Sequence, residues 1–473
     1  MLFVTREFFL GFLPIVLAAF HISLAAGWRR LLVPILFVAS VVFYAWGNPV
    51  ETPILAVSIL VNYLGGRALA VSGLSPVRRK TVFIAALVFD LGMLGFFKYT
   101  NFVLDNLGWL FDLPPRHIDI ALPIGISFYT FTQIAFLADI YAKGERQRDI
   151  ASYGLFVTYF PHLVAGPIIH WREVMPQFQS LRRKDGFAFG SAAYGQFLVE
   201  GVCLFSIGLI KKLLIADQLN VFVNLGYKTI ATAPLGFADA WLLSIAYTFQ
   251  LYFDFSGYAD MAVGLSLLFG VRIPYNFNSP YIAVSIQDFW RRWHMTLSRW
   301  LRDYLYIPLG GNRGGPGMVY RNLFLTFLLG GLWHGADWTF IAWGALHGAA
   351  CCVHRLWTTA GFRLPRLAAL VVTFLFVNLT WVYFRAPDIA TAHAVLKAMA
   401  SPQLAPPTVL FAVPPLLVVS AALVWLCPNS QAIASLQWRG RAALSGLLAG
   451  AAVVVAMIAT NTSIPSPFIY YNF

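Results

Sequence analysis

The chain has 473 residues, 59% of them hydrophobic and only 11% charged, with a mean hydropathy of +0.70. Soluble domains carry roughly 25% charged residues, so this composition excludes a soluble globular protein and points to an integral membrane protein. The net charge of +13 does not indicate a nucleic-acid partner, because the lysines and arginines lie in short loops between apolar runs.

Continuous apolar runs without strand alternation select helices over a closed barrel, the two architectures that satisfy every backbone group within lipid. Spans are predicted near 8–26, 31–46, 52–71, 81–97 and 121–139, each close to the ~20 residues that cross the hydrocarbon core. Arg29-Arg30 follow the first run instead of preceding it, which reads as a spanning helix and not a cleaved leader. Arg29-Arg30, Arg78-Arg79-Lys80 and Lys143/Arg146/Arg148 occupy every second loop, so the positive-inside rule places the N-terminus outside the cytoplasm. Phe102, Leu107, Leu110 and Phe111, followed by Leu113-Pro114-Pro115, predict a short interfacial helix within 98–120. Pro161, His162, Gly166 and Pro167 interrupt 153–169 and predict a broken or re-entrant element. Further spans are expected near 190–210, 237–253, 256–270, 319–333, 336–354, 366–384, 407–427 and 441–460, with Pro406-Pro407 opening the penultimate run and Pro414-Pro415 interrupting its first turns. The expected fold is therefore all-α, one polytopic domain over 1–473 with about 11–13 transmembrane helices plus interfacial and re-entrant helices.

The basic and aromatic island 285–347 stands out from this background. Phe289, Trp290, Trp293, Leu297, Trp300, Leu301 and Tyr304 fall on one helical face roughly 120° wide, with Arg291, Arg292, Arg299, Arg302 and Asp303 on the other. This pattern predicts an amphipathic helix at the membrane surface, with His294 at the edge of its apolar face; its arginines suit lipid phosphates or the phosphates of an acyl-carrying cofactor or carrier protein. His334 lies in Gly330-Gly331-Leu332-Trp333-His334-Gly335, with Asp337 three residues on. An imidazole near the hydrocarbon core is costly unless it faces a cavity or a partner, and the glycines let helices or a long substrate approach closely. As a lone residue, His334 is equally compatible with a structural and a catalytic role. His347 and His354 are expected to pack between helices, and His162 and His170 to lie near the broken element. His21, His117 and His393 read as peripheral.

Tyr252, Asp254 and Asp260 place two acids in an apolar run, where pairing with the arginines of 291–302 is the simplest solution. Cys203, Cys351, Cys352 and Cys427 lack ligand spacing, and no clustered carboxylates or His-x-x-x-His suggest a metal. Serine-hydrolase, Walker and dinucleotide signatures are absent, which argues against serine hydrolysis and ATP-driven transport.

Six ordered stretches, ALPIGISFYTFTQ (121–133), YFPHLVAGPI (159–168), YFDFSGYADMA (252–262), IPYNFNSPY (273–281), DFWRRWHMTLSRWLRDYLYIPLGGNR (288–313) and GGLWHGADW (330–338), resemble the membrane-bound O-acyltransferase family. Within it they resemble the bacterial branch of alginate O-acetyltransferase membrane subunits and D-alanyl transfer proteins of teichoic acid modification. The closing Ser466-Pro-Phe-Ile-Tyr-Tyr-Asn-Phe473 resembles the aromatic tail of that branch. The resemblance implies helices around a central funnel, a catalytic core at about 121–357, and acyl transfer to a hydroxyl in the bacterial inner membrane. His334 then matches the catalytic histidine and His294 the second functional position, the former as general base and the latter orienting the donor or stabilising an oxyanion. Candidate substrate contacts are Trp333, Asp337, Arg291, Arg292, Arg299, Arg302, Tyr252, Asp254 and Asn276. YIPLGGNRGG (306–315) favours acetyl as the group moved, with acetyl-CoA or another acyl thioester as donor substrate and no bound cofactor. The implied partners are the bilayer, a glycan acceptor and a periplasmic acetyltransferase. A D-alanyl or longer-acyl relay of the same fold and a transporter are the alternatives.

Overall fold

A computed structural model of the chain describes all positions except 72, 115, 144–148, 184–185, 231–232, 234, 403–413, 437–440, 463–465, 467 and 473. At 143, 414, 441, 452–453, 455–462 and 471–472 it describes the backbone alone. Arg146, Arg148, Pro406-Pro407, positions 407–413 of an expected span, and parts of the aromatic tail thus lie outside the described residues.

Every regular element among the described residues is helical. The chain opens with α1 (Leu13–Ala25), α2 (Leu32–Gly47), α3 (Thr52–Leu69) and α4 (Pro76–Phe111). Next come α5 (Ile126–Lys143), α6 (Ile150–Thr158), α7 (Phe160–Leu163), α8 (Trp171–Leu181), α9 (Ala192–Ile210) and α10 (Asp217–Ile230). The core follows as α11 (Phe237–Leu268), α12 (Ile286–Trp290), α13 (Met295–Leu301), α14 (Pro316–His334), α15 (Trp338–Thr359) and α16 (Arg366–Arg385). The chain closes with α17 (Ile389–Ala400), α18 (Pro414–Trp425), α19 (Ser430–Ser435) and α20 (Arg441–Thr462).

Five helical stretches are long and apolar enough to cross a membrane: Glu7–Ala25, Arg29–Gly47, Thr52–Leu69, Pro76–Phe111 and Arg366–Arg385. Only 17% of the apolar window of α4 is buried within the protein. Exposed Val88, Leu91, Phe96 and Val103 on that helix would each be unfavourable in water by an amount proportional to area, about 25 cal/mol per Å², and suit lipid instead. The expected span at 81–97 and the expected interfacial helix beyond it are one 36-residue helix. No breaker occurs before Leu113-Pro114, so the helix continues until Asp112 turns it off in the left-handed region.

The two spans expected at 237–253 and 256–270 are also one helix, α11, 32 residues long. Its side chains are buried without interruption from Ala246 to Leu268, which makes it the internal pillar of the protein rather than a lipid-facing span. A seam of glycines docks α9 on it: a Cβ on Gly208 would stand 2.4 Å from the Gly257 carbonyl oxygen, and one on Gly264 would stand 2.6 Å from that of Gly201. The interruption expected within 153–169 is present, because α6 stops at Thr158, Tyr159 leaves the helical region, and residues after α7 are non-helical yet buried. Pro414-Pro415 lie in the first described turn of α18, and the interruption expected there involves 407–413 before them, which lie outside the described residues.

α14, α15 and α16 form successive hairpins. Asp337 at the start of α15 and Arg385 at the end of α16 share one end of this bundle, while Arg355 and Arg366 mark the opposite end.

Candidate active site

The segment expected to be one surface helix is broken at its centre. α12 is capped by Ser285, whose Oγ accepts from Asp288 N at 3.1 Å. It ends at Trp290, and His294 follows with φ +42° and ψ 52° before α13 begins. The break is tied to the strand-like stretch before it: Asn278 N donates to Arg292 O at 2.9 Å and Met295 N donates to Asn276 O at 2.9 Å. Trp290, Trp293, Leu297 and Trp300 are buried in protein, not laid at lipid headgroups, and His294 is fully buried instead of edge-on. Apolar periodicity continues through the turn, which is why the helical projection misses it.

Asn276 holds this turn. Its Oδ1 accepts from Thr296 N at 3.2 Å and from Thr296 Oγ1 at 2.8 Å, and stands 3.1 Å from His294 Nδ1. A backbone N–H can only donate, so the carboxamide oxygen faces it, and His294 Nδ1 must carry the proton. A neutral His294 therefore presents a lone pair at Nε2, which has no hydrogen-bond partner among the described residues. That is an acceptor, not the donor that the expected oxyanion role requires.

His334 is the last residue of α14 and is 2% exposed. Its ring centroid lies 4.9 Å from Trp333, 5.0 Å from Trp343, 5.1 Å from Phe384 and 5.6 Å from Tyr470. Trp333 and Tyr470 also reach His294, at 6.4 and 6.2 Å. The two imidazoles thus share one pair of aromatic neighbours. Trp333 Nε1 is buried with no hydrogen-bond acceptor among the described residues. Asp337 caps α15, its Oδ1 accepting from Thr339 N at 2.8 Å. Close packing of α14 on α15 depends on Gly331 and Gly344, because a Cβ on Gly331 would fall 2.4 Å from the Phe340 carbonyl oxygen.

Two residues of α4 grip the end of α14. Tyr99 Oη donates to Leu332 O at 2.8 Å, and Lys98 Nζ donates to Trp333 O and to Ser127 Oγ at 3.2 Å, with His334 O at 3.5 Å. Lys98 also stands over the Trp333 ring at 5.7 Å. A cation here satisfies carbonyls that a helix C-terminus leaves without intrahelical donors and complements the helix dipole. Sequence reasoning did not single out Lys98, although a lysine inside a spanning-length apolar helix was the available signal.

The acids of α11 do not meet the arginines of 291–302. Lys212 Nζ lies 2.7 Å from Asp254 and 2.8 Å from Asp217, and Lys211 Nζ lies 2.7 Å from Asp260. These lysines follow α9, whose glycine seam brings them alongside α11. The network also anchors the tail: Lys212 Nζ donates to Ser466 Oγ at 3.0 Å, and Ile469 N donates to Asp254 Oδ2 at 2.8 Å, which seats Tyr470 between the histidines. Asp254 is thus bound to protein groups, and Tyr252 packs against Tyr281 and Trp293.

The candidate arginines divide. Arg292 pairs with Asp288 at 2.9 Å, and Arg299 forms a two-pronged pair with Glu173. Arg299 lines a cavity of 760 Å³ together with Arg172 and three carboxylates, Asp139, Glu173 and Asp303. His170 borders it, and burial, then the neighbouring Arg299 guanidinium, lower its pKa below the usual histidine value. Arg302, whose Nε and Nη2 donate to the Asp303 carboxylate at 2.7 and 3.1 Å, and Arg291 line a separate cavity of 390 Å³ with His354, Arg355, Gln287 and Ser298 and no carboxylate in its lining. Its inner wall includes Trp290, Leu301, Thr326 and Phe327, leading toward Gly330. His347 uses both nitrogens structurally: Nδ1 accepts from Trp290 Nε1 at 3.2 Å, so Nε2–H faces Thr380 Oγ1 at 3.0 Å. His162 Nε2 stands 3.0 Å from Phe156 O in the buried broken element.

Comparison with known proteins accords with this architecture. The model of the MBOAT, membrane-bound O-acyltransferase, family matches residues 145–386, from just before α6 to the end of α16. A peptidoglycan O-acetyltransferase of Helicobacter pylori is 43% identical over 84% of this chain and 80% of its own length. A probable alginate O-acetylase of Pseudomonas aeruginosa is 42% identical over 85% of this chain and 75% of its own. A teichoic acid D-alanyltransferase of Bacillus subtilis is 30% identical over 56% and 68% respectively. With both histidines inside the matched region, this membrane enzyme belongs to the membrane-bound O-acyltransferase family.

Proposed function

We propose that the chain moves an acetyl group from an acyl thioester, such as acetyl-CoA, to a hydroxyl destined for an exopolysaccharide or cell-envelope glycan, and that it works in the bacterial inner membrane. The observation that carries this reading is the pair of buried imidazoles, His334 and His294, flanked by the same Trp333 and Tyr470 rings. Acetyl is favoured because relatives matching most of the chain are named for O-acetylation of peptidoglycan and alginate.

In this reading the donor enters from the cytoplasmic end, which the positive-inside rule assigns to Arg355 and Arg366. The cavity lined by Arg291, Arg302 and Arg355 suits the phosphates of the donor. From Phe327 to His334 the helix rises about 10 Å, a span for the thioester arm. Neutral His334 accepts the proton of the acceptor hydroxyl as its oxygen attacks the thioester carbonyl carbon. The carbonyl π pair moves onto oxygen, and the Trp333 indole N–H is the proposed donor to that oxyanion. Collapse re-forms the carbonyl and breaks the C–S bond, and the imidazolium returns its proton to the leaving thiolate. His294 Nε2 accepts a hydrogen bond from a hydroxyl and so orients it. A separate extracytoplasmic acetyltransferase is the proposed partner where the polymer is modified beyond the membrane.

The relative that transfers D-alanine supplies the second reading. Chemical analysis of envelope glycans from a deletion strain separates the two. Loss of O-acetyl ester supports acetyl transfer, and loss of D-alanyl ester with intact O-acetyl would replace it.

A further inference from the structure

The face that α4 turns into the protein is a stripe of residues four apart, Ala86, Asp90 and Leu94, while Val88 and Leu91 beside it are exposed. Asp90 is fully buried at the centre of that stripe, inside a helix long and apolar enough to cross the membrane. It has no part in the chemistry assigned to His334 and His294. We propose that Asp90 is a proton-binding site within the membrane, that it is a neutral carboxylic acid whose proton is shared with Asn62 of α3, and that this proton locks α4 against α3.

Asn62 Nδ2 donates to Ser58 O at 3.0 Å and to Asp90 Oδ1 at 2.7 Å. A backbone carbonyl can only accept, so the amide nitrogen faces it and both amide hydrogens are used. Two acceptors are left on the pair, Asn62 Oδ1 and Asp90 Oδ2, each buried and without a hydrogen-bond partner among the described residues. A hydrogen on Asp90 Oδ2 turns one of these acceptors into the donor that the other lacks. No lysine, arginine or histidine among the described residues pairs with Asp90 to hold it as a carboxylate. The groups that surround it are uncharged: Asn62 and Ser58 on α3, Gln133 and Tyr129 on α5, and Tyr153 on α6. Gln133 Nε2 donates to Ser58 Oγ at 2.7 Å and Tyr153 Oη to Gln133 Oε1 at 3.2 Å, so these neighbours satisfy one another and offer Asp90 no counter-charge. An isolated carboxylate at this depth is costly enough that the group takes up a proton instead. Eight residues on, about 12 Å along the helix, Lys98 and Tyr99 grip the end of α14. Losing the proton leaves a carboxylate with no donor for Oδ2 and loosens the helix that carries this grip.

The test reads the proton directly and does not depend on acyl transfer. With the full chain in nanodiscs at neutral pH, the infrared difference between wild type and Asp90→Asn should contain the C=O stretch of a protonated carboxylic acid. Dicyclohexylcarbodiimide, a lipid-soluble reagent that adds the O–H of a neutral acid across its C=N bond, should label Asp90 on mass-spectrometric mapping, and a charged, water-soluble carbodiimide should not. Asparagine presents one acceptor and one donor, as the protonated acid does, so Asp90→Asn should keep the wild-type melting temperature and Asp90→Ala should lower it. Amide hydrogen exchange at 330–334 should rise in Asp90→Ala and stay at the wild-type level in Asp90→Asn. Absence of the acid band, labelling by the charged reagent alone, or an Asp90→Asn chain that melts as low as Asp90→Ala would overturn the assignment. Unchanged exchange at 330–334 in folded Asp90→Ala would overturn the coupling to the end of α14.

Discussion

Replacing Lys98 with methionine keeps the aliphatic stem and removes the ammonium that Trp333 O and Ser127 Oγ receive. Hydrogen bonds from a charged donor contribute about 1.5–3 kcal/mol each, and the helix dipole adds about 0.3–1 kcal/mol. Removing a half-buried ammonium also relieves its desolvation, which offsets much of that loss. The net destabilisation should therefore be modest, roughly 1–3 kcal/mol. Activity should respond far more, because the freed carbonyls belong to the last turn before His334. A reacting group misplaced by about 1 Å costs roughly 100-fold in rate. In nanodiscs with radiolabelled acetyl-CoA, Lys98→Met should lower kcat by roughly 100-fold with donor KM within about twofold of wild type. Lys98→Arg, which restores a cationic donor, should recover part of that loss. Unchanged kcat, or a loss matched by a reduced folded fraction, would refute a positioning role.

Asn276→Ala removes the acceptor shared by His294 and Thr296. It should destabilise the chain by about 2–4 kcal/mol and abolish transfer, while Asn276→Asp, which still accepts all three bonds, should retain more of both, measured by thermal unfolding and acetyl transfer. Arg302→Ala should raise donor KM about tenfold, with the effect shrinking as salt rises, whereas Arg299→Ala should leave donor KM unchanged and lower thermal stability by stranding Glu173. Lys212→Met leaves Asp254 and Asp217 facing each other and should cost about 3–5 kcal/mol in thermal unfolding. A cost below about 1 kcal/mol would show that the tail is not anchored by this network.

Much of the framework was legible in the sequence because apolar length and proline placement act locally. The broken element at 153–169 and the glycines that bring α14 onto α15 are of this kind. What escaped depends on non-local pairing. Asp254 was expected to pair with the arginines of 291–302 because an unpaired carboxylate is costly in an apolar run, yet its partner is Lys212, which arrives from a distant segment. His294 looked edge-on because periodicity cannot register one residue at φ +42°, which Asn276, 18 residues earlier, holds in place. The four arginines looked alike on one helical face, but Asp288, Glu173 and Asp303 pair with three of them, and only Arg291 and Arg302 line the cavity that has no carboxylate in its lining.

The most direct test of the central claim is acetyl transfer by the reconstituted chain with His334→Ala, folding checked by thermal unfolding. General acid–base catalysis contributes about 10²–10⁴-fold, so transfer should fall by at least about 100-fold while the donor still binds. Wild-type transfer by folded His334→Ala would contradict the account.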